Sequence, residues 1–448
     1  MAEKWKIVAD SYRKNCGREE THMEKIIAIT KDYLYIPIQT GAEASYLSLF
    51  EEESGEKILE FKVPVGNVEN GIYPYAFLAR VPVDMWKKKK LVLKGEFPQE
   101  FFNSVKVDDY IETARENRPE IHFTADTGWI NDPNGLVFDG VNYHLYFQYN
   151  PFDVVWENMS WGHATSRDLI NWTQQETVMY PDENGYMFSG SGFVNKNGCL
   201  GLPEDALMFY YTAAGECRPW TAERLFTQRL AYSIDGGKTL IKTDRGVVPV
   251  ISHENRDPKV FWHEETKSYI MILWVDGNEF AILRSTDLEK WNISQRFELT
   301  DGFECPDLIC LTDETGKHWF VTTADGYYYP GEFDGYSFNW SGKRYCLYMN
   351  KVPYAAQTYS NTDGRVIFVP WLRLDFKGRK YTGAMGIPRE LGLIKIDNEY
   401  RITLNPVQEF KDEFKSHSFK VRDLTVFVDN GIVEVTADCD TMLGVYEV

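Results

Sequence analysis

The chain has 448 residues, 43% of them hydrophobic and 26% charged, with a formal net charge of −19 at pH 7. This length exceeds one ordinary hydrophobic core and predicts two or three domains in a soluble globular protein. The acidic charge argues against a nucleic acid partner and against an anionic membrane surface, because Lys and Arg must neutralise the negative charge of both.

Cysteine usage and hydropathy bear on the compartment. The seven cysteines show no C-x-x-C spacing, which argues against a disulfide framework and against a zinc site. The N-terminal sequence "MAEKWKIVADSYRKN" lacks the apolar segment of a signal peptide. No apolar run reaches the roughly 18 residues that a membrane helix needs. We therefore expect a cytoplasmic protein without a membrane span.

Residues 1–115 are predicted to form a separate β-sandwich domain. Four segments rich in β-branched and aromatic residues are typical of strands: "KDYLYIPIQT", "KILEFKVPV", "YAFLARVPV" and "KLVLKGEF". The following stretch, 97–120, is predicted to be a linker that is partly helical.

Residues 116–405 carry a repeated pattern. Short apolar strands such as "YHLYFQY" and "SYIMILW" alternate with turn signals, and long helical periodicity is nearly absent, so the chain is predicted to be all-β. Repeat units start at residues 132, 189, 257, 304 and 354, which lie 47 to 68 residues apart. That spacing is typical of a four-stranded propeller blade. The stretch is predicted to be a five-bladed β-propeller and the catalytic domain.

Residues 406–448 form a short C-terminal β segment. One hairpin is clear, and it turns at Asp429-Asn430-Gly431. A lone hairpin is not a stable domain. We expect it to be the remnant of a sandwich or a contribution to one, and either to join the N-terminal sandwich or to pack on the flank of the propeller.

Three acidic residues hold equivalent places in three of the predicted blades: Asp132, Asp257 and Glu304. The first strand of a propeller blade lines the central channel, so residues just before these strands should crowd around one mouth. Three carboxylates in one funnel repel each other and are costly to bury unless they are used. The sequence therefore predicts a site built on these three side chains.

The motifs around them resemble a known family. "WINDPNG" (129–135), "NRDPKVF" (255–261) and "ECPDL" (304–308) are similar to the three signature motifs of glycoside hydrolase family 32, which contains invertases, inulinases and levanases. The resemblance implies that Asp132 is the nucleophile, Glu304 the general acid/base and Asp257 the stabiliser of the transition state. It also implies a pocket for the terminal fructose, formed by Asn131, Gln148, Trp156, Phe188, Ser189, Arg256 and Trp371.

The implied chemistry explains these residue types. A retaining route needs one ionised carboxylate for attack and one protonated carboxyl for the leaving oxygen, and the two carboxyls then lie about 5 to 5.5 Å apart. We expect N–H groups of the turn to help keep Asp132 ionised. No metal and no other cofactor is implied. The expected partner is a fructo-oligosaccharide, a fructan or sucrose.

The chain departs from the family pattern in two places. Many members carry an Asp shortly before the "YAAQ" segment that helps to bind the leaving-group sugar. Here Lys351, Val352 and Pro353 precede that segment, which argues against sucrose as the main substrate. An N-terminal β-domain, similar to one in some gut bacterial fructan hydrolases, stands in place of the large C-terminal sandwich. It could bind a fructan chain, although structural support is the commoner role.

Three alternatives remain open. A fructosyltransferase would use the same residues with an acceptor sugar in place of water. An inverting, arabinosidase-type propeller hydrolase also uses three carboxylates, but "NDPNG" and "ECPDL" argue against it. A non-catalytic sugar-binding protein is disfavoured because all three acidic residues are present.

Overall fold

A computed structural model describes residues 23–113, 117–411, 417–437 and 439–448. The N-terminal sequence with Cys16, and residues 114–116 of the predicted linker, lie outside these ranges. Within them the strands, in chain order, are β1 (Met23–Ala28), β2 (Tyr33–Ile38), β3 (Ala44–Glu51), β4 (Lys57–Pro64), β5 (Phe77–Pro82), β6 (Lys90–Gly95), β7 (Lys106–Asp108), β8 (Gly128–Phe138), β9 (Tyr143–Asn150), β10 (Ser160–Ser166), β11 (Thr173–Gln174), β12 (Tyr186–Val194), β13 (Leu207–Ala214), β14 (Thr227–Ser233), β15 (Ile241–Val248), β16 (Arg256–His263), β17 (Ser268–Asp276), β18 (Glu279–Ser285), β19 (Asn292–Glu298), β20 (Asp307–Asp313), β21 (Gly316–Thr322), β22 (Tyr327–Phe333), β23 (Phe338–Trp340), β24 (Tyr345–Cys346), β25 (Pro353–Thr358), β26 (Ile367–Leu372), β27 (Tyr381–Thr382), β28 (Ala384–Met385), β29 (Arg389–Ile396), β30 (Glu399–Pro406), β31 (Ser418–Val421), β32 (Leu424–Asp429), β33 (Ile432–Ala437) and β34 (Met442–Glu447).

Helices are short in the described part of the chain. There an α-helix, α1, spans Gln99–Ser104. Short 3₁₀ helices span Asp84–Trp86, Cys199–Gly201, Pro219–Thr221 and Gln408–Lys411. No helix in the described part of the chain is long and apolar enough to cross a membrane.

Two antiparallel sheets form the N-terminal β-sandwich. Their strand orders are β1-β6-β3-β4 and β5-β2-β7. Buried and more exposed side chains alternate along β5, as expected for a strand with one face in a core. Part of the predicted linker belongs to this domain, because Phe101 and Phe102 of α1 are buried in its core and β7 pairs with β2. Residues 99–108 are therefore part of the sandwich and not a free connection, while the helix expected in the linker is present as α1.

Five successive sheets form the blades of the propeller. Their four consecutive strands are β8–β11, β12–β15, β16–β19 and β20–β23 in blades one to four, and β25, β26, β29 and β30 in blade five. Neighbouring strands in each blade are antiparallel, and the inner strand comes first. The β27 strand returns to pair in parallel with β8, which also contacts β12 and β25. Blade one therefore joins blade five and closes the ring.

The residue types of "NDPNG" are typical of a turn before a strand, but the motif lies inside β8. The pairing of β8 with β9 shifts register between Ile130 and Pro133 and again between Asn134 and Val137. Such β-bulges place two residues opposite one and turn side chains out of the ladder. Turn-forming residues are found here because a bulge needs similar backbone freedom.

The C-terminal segment is larger than the hairpin seen in the sequence. Strands β31 to β34 form one antiparallel sheet, in which β32 and β33 are the hairpin around Asn430 and Gly431. It packs on the flank of the propeller, the second of the two placements considered. The core there contains Phe427 beside residues of blades one and five, and Ile432 and Leu443 beside residues of blades four and five.

Candidate active site

Bulges in the inner strands present the predicted site residues to one mouth of the propeller. Register shifts between Ile130 and Pro133 and between Met187 and Gly190 enclose site residues of blades one and two. A third shift, between Arg256 and Lys259, encloses Asp257. A fourth follows Tyr354 in blade five.

The backbone is strained at the same places. Asp257, Glu304, Cys305 and Ala355 all have positive φ, between 44° and 65°. Non-glycine residues adopt such angles at an energetic cost that the surrounding structure must offset, and they cluster at functional sites.

Asp132 is held by side chains from two blades. The Ser189 hydroxyl donates a hydrogen bond to Asp132 Oδ2 at 2.7 Å, and Asn131 Nδ2 donates to Oδ1 at 3.2 Å. Asn131 is itself fixed by Trp129, whose Nε1 donates to its Oδ1 at 2.9 Å. The sequence predicted that N–H groups of a turn would donate to Asp132, whereas Ser189 and Asn131 donate to it from their side chains.

Cys305 lies between two of the three carboxylates. Its Sγ is 3.6 Å from Asp132 Oδ2 and 3.4 Å from Asp257 Oδ2. Its backbone N–H donates to Asp257 Oδ2 at 3.1 Å, and the Asp257 N–H donates to Thr212 Oγ1 at 3.1 Å. Burial raises the pKa of the Cys305 thiol, and the neighbouring negative charges add to this. The thiol therefore stays protonated and acts as a donor between the two carboxylates.

Glu304 is clamped from both sides. Arg256 Nη2 lies 2.5 Å from Glu304 Oε1, and the Tyr354 hydroxyl donates to Oε2 at 2.8 Å. The Arg256 guanidinium lies over the Trp274 ring, with Cζ 4.0 Å from the centroid, so cation–π contact fixes its plane. Arg256 Nε is 4.0 Å from Asp257 Oδ2. The Arg256 guanidinium therefore lies close to two of the three carboxylates, those of Asp257 and Glu304.

Burial and mutual repulsion set the electrostatics of the cluster. Burial raises the pKa of Asp132, and the charge of Glu304 adds to this, while the hydrogen bond from Ser189 works against it. Burial also raises the pKa of Asp257, to about 7, although Arg256 opposes the shift. The ionised forms of these carboxyls would therefore be stabilised by positive charge that develops next to them.

A pocket opens directly onto these groups. It contains about 250 Å³ of empty space, including its open mouth. Its lining comes from all five blades and consists of Asp132, Pro133, Ser189, Asp257, Cys305, Pro306, Ala355, Ala356 and Gln357. Gln357 Nε2 donates to the Gly190 carbonyl at 3.1 Å, whereas its buried Oε1 has no hydrogen-bond partner in the part of the chain that the structure describes.

The remaining predicted binding residues lie outside the pocket lining and are buried to different degrees. Gln148 is 2% exposed and donates from Nε2 to the Met187 carbonyl at 2.8 Å, so it fixes the backbone before Phe188. The Phe188 ring lies 6.1 Å from that of Trp156, which is 38% exposed. Trp371 contacts Trp129 edge-on at 5.8 Å, and its buried Nε1 has no partner among the described residues.

Sequence analysis missed several residues of this site. Tyr354 stood at the start of the fifth repeat unit, in register with Asp132, and that position was the available signal. Trp129 packs against a hydrophobic cluster that includes Tyr186 and Ala214, and it also donates to Asn131 and contacts the Trp371 ring. Nothing local in the sequence indicates the bridging position of Cys305.

Trp161, Trp172 and Trp291 pack against blade cores, as predicted. Among the described residues, no group of three or more His, Cys, Asp and Glu side chains is arranged to hold a metal ion.

Known proteins resemble this chain over the same region. The family model described as "Glycosyl hydrolases family 32 N-terminal domain" matches residues 122–406. A levanase from Bacillus subtilis is 34% identical over 343 residues, which cover 69% of this chain and 49% of the levanase. An invertase from Debaryomyces hansenii is 35% identical over 294 residues, which cover 59% of this chain and 54% of the invertase. The chain thus spans about half the length of these curated relatives.

Two solved structures extend the comparison to the fold. Exo-inulinase from Aspergillus awamori superposes with a TM-score of 0.66 at 21% identity, over 75% of this chain and 94% of the inulinase. A glycoside hydrolase family 32 protein from Bifidobacterium adolescentis superposes with a TM-score of 0.55 at 19% identity, over 92% of this chain and 80% of that protein. The second match must include the N-terminal sheets as well as the propeller. Because the family model covers more than half of the chain, including all three carboxylates, the protein belongs to glycosyl hydrolase family 32.

Proposed function

We propose that the protein hydrolyses the bond that links a terminal β-D-fructofuranosyl residue to a fructo-oligosaccharide, a fructan or sucrose. One observation carries the proposal: Asp132 and Asp257 line one pocket, Cys305 bridges them, and Arg256 connects Asp257 to Glu304. The levanase and invertase relatives support the same substrate class.

The reaction we propose is a double displacement. Asp132 attacks the anomeric carbon while Glu304 gives its proton to the leaving oxygen, so that a fructosyl ester forms and the shortened sugar leaves. Glu304, now ionised, takes a proton from water, and the water oxygen displaces Asp132 with retention of configuration. Arg256 and Tyr354 both act as donors to Glu304, which suits a group that must become negative in the first step.

Asp257 takes a supporting role in this scheme. It is 7% exposed, faces the same pocket and lies next to Arg256. When positive charge develops on the ring, an ionised Asp257 stabilises it and accepts hydrogen bonds from ring hydroxyls. Ser189 and Asn131 orient Asp132, while the aromatic residues offer apolar faces to the sugar.

Fructose release tests the proposal. The purified protein is incubated with sucrose, kestose, inulin and levan, beside Asp132→Ala and a matched control, Asp244→Ala, whose side chain is 94% exposed. We expect release from at least one fructan or oligosaccharide, a loss of several orders of magnitude in Asp132→Ala, and no change in the control. Near wild-type turnover in Asp132→Ala would remove that residue from its role.

Product analysis tests the stereochemistry and the acceptor. With methanol present, a retaining enzyme forms methyl β-D-fructofuranoside from its ester intermediate, and an inverting enzyme does not. Longer oligosaccharides at high substrate would indicate a transferase instead of a hydrolase. Absence of cleavage of any fructoside would overturn the proposed function and leave the fold untouched.

A further inference from the structure

The connection between β9 and β10, residues 151–159, carries Trp156 beside two aromatic residues of β12. Trp156 at its centre packs edge-on against Tyr186 at 6.2 Å and Phe188 at 6.1 Å. Phe188 directly precedes Ser189, the hydroxyl donor to Asp132. At 38% exposure, the Trp156 ring has free surface for a sugar to contact.

The chain before Trp156 is anchored in the N-terminal sandwich. Phe152 belongs to the propeller in sequence, yet it is fully buried in the hydrophobic core of the sandwich. Its ring lies 4.1 Å from that of Phe61 on β4. A buried aromatic side chain is among the strongest single anchors that a loop can have.

The chain after Trp156 is anchored on the same strand. The Lys62 N–H donates to Asn158 Oδ1 at 2.8 Å, and Asn158 Nδ2 donates to the Lys62 carbonyl at 2.8 Å. Because β4 is an edge strand in the described ranges, no strand within those ranges pairs with these backbone groups on that side. The Asn158 amide occupies the place of a pairing strand.

Glu157, the residue next to Trp156, is tied to both domains. Lys62 Nζ lies 2.9 Å from Glu157 Oε2, and the Tyr186 hydroxyl donates to Glu157 Oε1 at 2.5 Å. Tyr186 is one of the two rings that contact Trp156. Anchors from β4 therefore surround Trp156 at positions 152, 157 and 158.

We propose, building on the proposed function, that the N-terminal sandwich is part of the active site, because β4 holds Asn158 and Phe152 so that Trp156 forms the outer wall for the bound sugar. Asn158 is a positioning residue that acts through Trp156. Without its anchors, this nine-residue connection would have to be ordered when substrate binds, which weakens binding. Trp156 is distant from the bond that breaks, so the effect falls on KM more than on kcat.

A double-mutant cycle tests the coupling. The variants are Trp156→Ala, Asn158→Ala and the double substitution, with Lys94→Ala as a control on an exposed sandwich ion pair. We expect each single substitution to raise KM about fivefold or more with kcat within about twofold. The double variant should match the single ones, because Asn158 has nothing left to position once Trp156 is gone. The control should leave both constants unchanged.

Two results would overturn the proposal. One is an unchanged KM in Asn158→Ala while Trp156→Ala raises it, and the other is multiplication of the two effects in the double variant. If Asn158→Ala does not fold, Lys62→Met replaces it, since it removes only the ion pair with Glu157 and should raise KM in the same direction.

Hydrogen–deuterium exchange gives a readout independent of activity. Asn158→Ala should speed exchange in residues 153–158 and leave the blade strands unchanged, even if no fructoside is cleaved. That pattern without any cleavage would contradict the proposed function alone. Unaltered exchange in residues 153–158 would contradict the positioning role.

Discussion

Burial of Asp257 lowers the stability of the folded protein at pH values where this carboxyl is ionised. Its pKa is raised by burial to about 7, far above the ordinary value of 3.8. The folded state therefore binds a proton more tightly than the unfolded chain does, and the group costs stability as the pH rises from about 4 through 7. At neutral pH the folded protein carries a partly ionised carboxylate that it would be more stable without.

Asp257→Asn should therefore raise thermal stability and lower activity. We expect the Tm of the variant to exceed that of the wild type by on the order of a few degrees at pH 8, and the gap to close towards pH 4. Thermal unfolding between pH 4 and 8 measures this, with Asp244→Asn as the exposed control. A gap that widens towards low pH would contradict the assigned direction of the pKa shift.

Local motifs were sufficient to predict which carboxylates converge. They were insufficient to predict which side chains form hydrogen bonds to these carboxylates. Asp132, Asp257 and Glu304 stand in register in the repeat, so their convergence follows from the propeller alone. Tyr354 and Cys305 act across blades, and such contacts depend on the bulge at each inner strand. Their chemical roles, and those of the predicted pocket residues, stay predictions.

At the scale of the strand, periodicity predicted the inner strands of the blades and missed the way they are interrupted. A strand with one extra residue reads as two short strands separated by a turn, which is why "NDPNG" was assigned to a turn. The helix in 97–120 was predicted, but its packing was not, because its polar neighbours are typical of a linker while Phe101 and Phe102 are core residues.

Buried polar side chains connect the inner strands of blades three, four and five. Lys259 on β16 is 6% exposed, and its Nζ lies 3.1 Å from Asp307 Oδ2 on β20 and 2.5 Å from the Thr358 carbonyl on β25. Asp307 Oδ2 accepts hydrogen bonds from the Thr358 N–H and hydroxyl, at 2.8 and 2.7 Å. Burial lowers the pKa of Lys259. Three blades thus share one buried ion pair.

Removing one partner of this pair should be worse than neutralising both. We expect Lys259→Met to destabilise the protein by about 3 kcal/mol, because Asp307 is left as a buried charge. The double variant Lys259→Met/Asp307→Asn should recover much of the loss, since the amide oxygen still accepts from Thr358. Chemical denaturation of both variants and of Asp307→Asn measures this. A double variant less stable than Lys259→Met would show that the pair is not the cause.

At the scale of the whole molecule, the sequence indicated the order of the domains but not the contacts between them. The C-terminal sheet docks through Asp429, whose Oδ2 accepts the N–H groups of Ile121 and His122, both at 2.9 Å. These partners are about 300 residues apart, and no local pattern connects them. The cytoplasmic location and the domain boundaries stay predictions.

A buried charge network completes this docking. His122 lies 2.8 Å from Asp429 Oδ2 through Nδ1 and 3.1 Å from Glu434 Oε1 through Nε2. Arg389 of blade five lies 2.5 Å from Glu434 Oε2. Burial alone would lower the pKa of His122, but the hydrogen bonds to both carboxylates raise it to about 9. The imidazolium is therefore the form that joins the sheet to the propeller.

This network predicts how stability depends on pH. The folded-state pKa of His122 lies above its ordinary value of 6.5, so its stabilisation is complete below pH 6.5 and is lost as the pH rises through about 9. We expect the wild-type Tm to fall across that interval and His122→Gln to flatten the fall. His253→Gln, on a side chain that is 66% exposed, is the matched control. An equally steep fall in His122→Gln would show that the docking does not depend on this charge.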